Sequence, residues 1–140
     1  MELKEIQLSY DDYCRLRESV GWINFTEQQT RLALSSSLYT VTAFEGKQAV
    51  GMGRVFGDGI YYTIADVVVH PDYQGQHVGR CIIEKILGYV GRQVPRGSRC
   101  TVMLFAASGK EGFYEKLGFK NLPSEDTGAG MKKVIYNKEL

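Results

Sequence analysis

The chain has 140 residues and a net charge of +1, from 17 basic and 16 acidic side chains, with 44% apolar and 24% charged residues. That balance excludes the basic footprint of a nucleic-acid binder and the biased composition of a disordered chain, and the length suits one domain around one core. No apolar run approaches the roughly 20 residues that span a bilayer, and the charged start, Met1 to Glu5, lacks the apolar core of a signal peptide. With three widely spaced cysteines (Cys14, Cys81 and Cys100), the expectation is a cytoplasmic protein with reduced thiols, and neither nucleic acid nor membrane as a partner.

Leu3 to Leu8 alternates apolar and polar residues and reads as a first strand. Ser9 suits the N-cap of a helix to about Val20, with Asp11 and Asp12 in its first turn and Tyr13, Leu16, Arg17 and Val20 at helical spacing. Gly21 closes it. Thr26 and Gln29 fit a capping box that opens a second helix to about Ser36. Tyr39 to Phe44 and Gln48 to Phe56 read as strands joined by a turn at Glu45-Gly46-Lys47. A further turn at Gly57-Asp58-Gly59 leads to the strand Tyr61 to Val69.

Asp66 to Arg80 is the most informative stretch. Val67 to Val69 is a continuous β-branched run, as in a strand covered on both faces. Pro71 ends it, and Gln74 to Gly79 lead into a helix with Val78, Ile82, Ile83, Ile86, Leu87 and Val90 on one stripe. A helix start offers unpartnered N–H groups and the positive end of the dipole, an anion site whose usual guest is phosphate. Gly75 and Gly79 have no Cβ to obstruct a diphosphate. Neither Gly-x-Gly-x-x-Gly nor Gly-Lys-Ser/Thr is present. The helix is expected to end near Gly91. Val94 to Gly97 then links it to a strand from Arg99 to Ala107, in a right-handed parallel crossover. Ser108 is the expected cap of a short helix, Glu111 to Leu117, closed by Gly118. Phe119 to Leu122 and Met131 to Tyr136 read as late strands, with Pro123 to Gly130 a mobile loop. His70 and His77 are the only histidines and no cysteine spacing supports a metal site. No Gly-x-Ser-x-Gly elbow marks a serine hydrolase.

Val69-His70-Pro71 with Gln74-Gly75-Gln76-His77-Val78-Gly79 resembles the pyrophosphate motif Gln/Arg-x-x-Gly-x-Gly/Ala of the GCN5-related N-acetyltransferase (GNAT) superfamily. It departs at His77, where the motif has its first glycine; an imidazole held outside the loop would leave the amide free. Phe113-Tyr114-Glu115-Lys116-Leu117-Gly118-Phe119 matches the superfamily's late motif, Phe-Tyr-x-x-Leu-Gly-Phe, at the expected distance. Taken alone, that second stretch is an amphipathic helix with Phe113 and Leu117 inward. The resemblance covers Tyr39 to the end and the two-helix start only in outline. It implies an α/β GNAT fold: one domain over residues 1–140, with a mixed, mostly antiparallel central sheet of six to seven strands flanked by about four helices.

The activity implied is transfer of an acetyl group from acetyl-CoA, as co-substrate, to a primary amine by direct attack in a ternary complex. Carried over by residue, Val67 and Val69 would pair through main chain with the pantetheine arm. The amides of Gln74, Gly75, Gln76, His77, Val78 and Gly79, with Arg80, would meet the diphosphate, and Tyr114 would sit near the sulfur. An amine with a pKa near ~10.4 must lose a proton before attack, and the oxyanion that follows needs a fixed donor, which a backbone N–H supplies. A tyrosine with a pKa of ~10 is protonated at neutral pH and can protonate the departing thiolate, so Tyr114 is the candidate general acid. Asp66 is the candidate base, against a plain role as partner of an arginine such as Arg54. Strand alternation points it away from Val67 and Val69 unless a bulge intervenes. The strand Arg99 to Ala107, where the family often places an acid, has none, so deprotonation through ordered water is the alternative. Trp22, Phe25, Tyr61 and Tyr62 are candidates for the acceptor pocket of a small-molecule amine. A protein or peptide acceptor is the second enzyme reading, and a non-catalytic acyl-CoA sensor is the reading of a different class. Homodimers are common among small domains of the family, and no stretch here compels one.

Overall fold

The computed structural model describes residues 1–138 and divides into two compact units, Met1–Phe105 and Ala106–Leu140. The first holds a five-stranded sheet in the order β1-β2-β3-β4-β5: β1 Glu2–Lys4, β2 Tyr39–Glu45, β3 Gln48–Gly57, β4 Tyr61–Val69 and β5 Thr101–Met103. All neighbours are antiparallel except β4 and β5, which run parallel as the intervening helix demands. With helices α1 Tyr10–Ser19, α2 Glu27–Ser35 and α3 Val78–Gln93, and the short α4 Glu111–Glu115 of the second unit, this is an α/β architecture.

Both early helix starts form as their sequences dictate. Asp12 N–H donates to Ser9 Oγ, and Thr26 and Gln29 complete a reciprocal capping box. One sheet face packs on α3 through Val78, Ile82, Ile83, Ile86 and Val90, all buried. Each such burial stabilises by about 1.5–3 kcal/mol, so this stripe outweighs any single cap. Close approach of α3 needs Gly53, where a Cβ would lie 2.7 Å from Ile82 Cγ2 and 3.1 Å from Ile86 Cδ1. The other face packs Met52 and Val68 with Leu8, Tyr13, Leu16 and Leu34.

Several boundaries differ from expectation. β1 stops at Lys4, because Leu8 turns into the core and the Ile6 carbonyl accepts from Thr42 Oγ1 instead of extending the ladder. Helix α3 runs through Gly91 to Gln93. Buried Val90 holds that turn, and Val94 is extended because Pro95 follows it. β5 is three residues rather than nine, since it pairs only with Tyr61, Tyr62 and Thr63 of β4. Lys110, not Ser108, precedes α4, and Gly109 N–H donates to Glu111 Oε1. Neither late strand forms among the described residues, which accounts for five strands instead of six or seven. Met131 and Ile135 are 89% and 83% exposed, and the sole bridge in this stretch joins Ser124 to Thr127. Among the described residues no helix is long and apolar enough to cross a membrane.

Candidate active site

The centre of the first unit is a defect in its sheet. Met52 opposes Val68 and Arg54 opposes Ala65, so Asp66 and Val67 together face the single residue Gly53: a β-bulge on β4. Asp66 adopts φ +54°, a left-handed backbone that asparagine and aspartate tolerate better than most residues. Val67 lies on the α3 face, its Cγ2 lying 3.6 Å from where a Gly53 Cβ would be. Despite the bulge, the Asp66 side chain goes to the opposite face, toward α1.

There its carboxylate is enclosed. Oδ1 accepts from Arg17 Nη1 at 2.6 Å, and Oδ2 accepts from Tyr13 Oη at 2.6 Å and Arg54 Nε at 2.9 Å. The Asp66 and Arg17 side chains are each only 9% exposed. Arg17 spends its other nitrogens on Asn24 Oδ1 and the Ile23 carbonyl, and its guanidinium lies 5.2 Å from the Trp22 ring and 5.3 Å from the Phe25 ring. Burial, reinforced by the hydrogen bond to Asp66 and its negative charge, pushes the Tyr13 hydroxyl up to about 12. Arg54 is the partner foreseen for Asp66; Tyr13 and Arg17 were missed. The available signal was a charged residue, Arg17, on the buried stripe of α1, since a charge there requires a partner.

Among the described residues no strand pairs with β4 on its β5 side beyond Thr63. His70 N–H donates to Val50 O across the β3 ladder, so the Val69 carbonyl, on the same trans peptide, points to the free edge. Ladder alternation sends Val69 N–H and the Val67 carbonyl the same way. The Val69 carbonyl accepts from Gln74 Nε2 at 2.9 Å, which ties the following loop to the strand.

That loop is a 3₁₀ turn, Pro71–Tyr73, and then Gln74 to His77. His70 Nδ1 accepts from Asp72 N–H, so this histidine shapes the turn. Gln74 N–H is used internally, donating to Pro71 O. Gly75 is left-handed at φ +78°, with open space where a Cβ would stand. His77 is the residue before α3, exposed, at φ +64° and without a side-chain cap bond. A left-handed residue is what glycine supplies freely, which gives the physical reason for a glycine at this motif position. The amides of Val78, Gly79 and Arg80 open α3 and have no partner within the helix, while Arg80 pairs with Glu84 at 2.8 Å. A diphosphate and its pantetheine arm fit these residues: open space at Gly75, unpartnered amides at the helix start, and an unpaired strand edge leading to both.

In the second unit, Tyr114 sits on α4 between Phe113 and Phe119, with ring centroids at 4.9 and 5.9 Å. Its carbonyl accepts from Leu117 and Phe119 N–H across Gly118, a left-handed stop at φ +95°. Burial raises the hydroxyl above its ordinary value, so it is protonated at neutral pH.

Of the four aromatics expected in an acceptor pocket, two share a partner. Trp22 and Phe25 meet at Arg17, Tyr61 is exposed, and Tyr62 is only 4% exposed in the core. Asp58 completes its turn, accepting from the amides of Ile60 and Tyr61, which lowers its carboxyl. Among the described residues no three potential metal ligands cluster.

Residues 15–140 match a family model described as an acetyltransferase (GNAT) domain. The chain is 34% identical over 130 residues to an uncharacterized N-acetyltransferase, ycf52, of Pyropia yezoensis, covering 85% of this chain and 72% of that protein. It is 32% identical to the histone acetyltransferase TAP1 of Glycine max, covering 80% of this chain but 52% of that protein. Among solved structures, a probable acetyltransferase of methicillin-resistant Staphylococcus aureus is 32% identical with a TM-score of 0.84, covering 96% of this chain and 98% of the other.

Proposed function

Because the chain belongs to the GCN5-related N-acetyltransferase superfamily, we propose that it transfers acetyl from acetyl-coenzyme A to the primary amine of a small molecule, both substrates bound together. The observation that carries this reading is the unpaired edge of β4 running into the turn that opens α3. Such an edge can add a peptide-like partner through main-chain hydrogen bonds, and such a turn binds anions. When bound, the co-substrate supplies an acetyl thioester activated toward amines.

The chain's own residues divide the remaining work. Val67 and Val69 offer main-chain groups to the pantetheine amides, and Val69 N–H is a fixed donor of the kind that stabilises developing negative charge. Gly75 and the first amides of α3, with Arg80, hold the diphosphate. Tyr114, protonated at neutral pH, gives its proton to the departing sulfur. The amine loses its proton to water. Trp22 and Phe25, stacked on Arg17, form one wall of the acceptor cleft.

Thiol release from acetyl-coenzyme A against a panel of amino acids, polyamines, aminoglycosides and short basic peptides tests the reading. Release with a small amine supports it. Release with peptides alone would favour a protein acceptor, the reading suggested by 32% identity to a protein described as a histone acetyltransferase. Cofactor binding that raises thermal stability without any release would favour a sensor. Tyr114→Phe is expected to lower kcat by about 100-fold with little change in cofactor affinity; unchanged turnover would remove Tyr114 from the mechanism.

A further inference from the structure

We infer that Asp66 is a positioning residue whose carboxylate, by gathering Tyr13, Arg17 and Arg54, holds the β4 bulge in the conformation that presents Val67 and Val69 to the cofactor edge. This rests on the acetyltransferase reading for its function, but not for its geometry.

A left-handed backbone at a residue with a Cβ is uphill and persists only where its surroundings enforce it. Here the enforcement is visible. The three donors come from two elements, α1 (Tyr13 and Arg17) and β3 (Arg54), and they converge on both oxygens of one carboxylate. Each donor is itself anchored. Arg17 is held by Asn24 and the Ile23 carbonyl, and Arg54 by the Ala33 carbonyl and Ser37 Oγ. Tyr13 is 4% exposed within the core. The side chain of the strained residue is therefore fixed from outside the strand, and its backbone follows. Directly after it come the main-chain groups that reach the free edge.

The same contacts occupy the Asp66 carboxylate on both oxygens. Three of its roughly four lone-pair sites are filled, two of them by guanidiniums. A burial this deep also leaves little room for an amine. The carboxylate thus acts through Val67 and Val69 and not on the reacting atoms.

Two substitutions that delete the same carboxylate separate the backbone effect from the loss of ion pairs. Asp66→Ala and Asp66→Gly release the same three donors, but glycine adopts left-handed φ without cost and alanine does not. By calorimetry, Asp66→Ala is expected to bind coenzyme A about tenfold more weakly than Asp66→Gly, a ratio set by the left-handed cost of a Cβ. Affinity in Asp66→Ala equal to that of the wild type would overturn the inference. Wild-type affinity in both, with turnover abolished, would also overturn it and make Asp66 the base. If the wild type binds no coenzyme A, the acetyltransferase reading fails and backbone chemical shifts of residues 65–69 decide the inference alone. The left-handed signature at residue 66 must then vanish in the alanine variant, and its survival there would overturn the inference. Should the alanine chain not fold, Tyr13→Phe keeps both ion pairs and removes one donor. It is expected to move those shifts, and unmoved shifts would overturn the inference.

Discussion

Two residues other than glycine hold a left-handed backbone among the described residues, Asp66 in the β4 bulge at φ +54° and His77 before α3 at φ +64°. They share a backbone state and almost nothing else. Asp66 has a side chain 9% exposed and bonded to three donors, whereas His77 is exposed and its ring makes no cap bond. Strain at the first is offset by directional contacts specific to aspartate. At the second the cost, roughly 1–2 kcal/mol for a residue with a Cβ, has no compensating side-chain contact of that kind. The same substitution to glycine should therefore act in opposite directions at the two sites.

The largest effect is expected from Asp66→Gly. Removing the shared anion leaves Arg17 and Arg54 buried without it, a loss of about 3–5 kcal/mol that relief of backbone strain offsets only in part. A net destabilisation of about 2–4 kcal/mol in urea denaturation would be a large share of a typical 5–15 kcal/mol. A neutral result would erase the distinction between the two sites. Arg17→Met should cost less, about 2 kcal/mol, because Arg54 and Tyr13 still satisfy the carboxylate and methionine keeps part of the packing on Trp22 and Phe25.

Tyr13→Phe sharpens the contrast through pH. The hydroxyl is pushed up to about 12 from 10.0, first by burial and then by its bond to Asp66 and that residue's charge. A group whose pKa is raised in the folded state stabilises fully below its unfolded value, near 10, and loses that contribution as pH climbs through the folded value. The variant should be about 1–2 kcal/mol less stable at pH 7, and the difference should shrink between pH 10 and 12. Tyr39, also pushed up to about 12, titrates over the same window, so the wild-type-minus-variant difference is the quantity to follow. A gap that stays constant across that window would mean the hydroxyl is not held by Asp66.

Much of the sheet and its apolar helix face was legible because burial leaves a periodic mark. The stripe of α3, the hairpin at Glu45 to Lys47 and the capping box at Thr26 are each written in consecutive residues. The β4 bulge is not, since nothing in Ala65-Asp66-Val67 distinguishes an inserted residue from an alternating one until Arg54 and Met52 fix the register. The clamp was half legible. Arg54 lies on the adjacent strand, 12 residues from Asp66, and was the natural partner, but Arg17 is 49 residues from Asp66 and shows itself only as a charge on a buried stripe. The late strands failed for the converse reason. Met131 to Tyr136 has the side chains of a strand, but a strand also needs a partner, which sequence pattern does not supply.

His77→Gly is the smallest effect and the most direct comparison between the loop and the bulge. Glycine removes a left-handed cost of about 1–2 kcal/mol, but it adds conformational freedom to the unfolded chain worth about 0.5–1 kcal/mol. The balance is a gain of about 0.5–1 kcal/mol in stability, with coenzyme A affinity equal to or slightly above that of the wild type. His77→Val should do the reverse, because a β-branched side chain suffers most at positive φ. The imidazole makes no cap bond, and the His77 carbonyl accepts from Cys81 N–H whichever side chain is present, so neither substitution disturbs the first hydrogen bond of α3. A loss of affinity in His77→Gly, despite unchanged or higher stability, would show the ring itself engaging the bound phosphates. The loop would then resemble the bulge, with a side chain that earns its strained backbone.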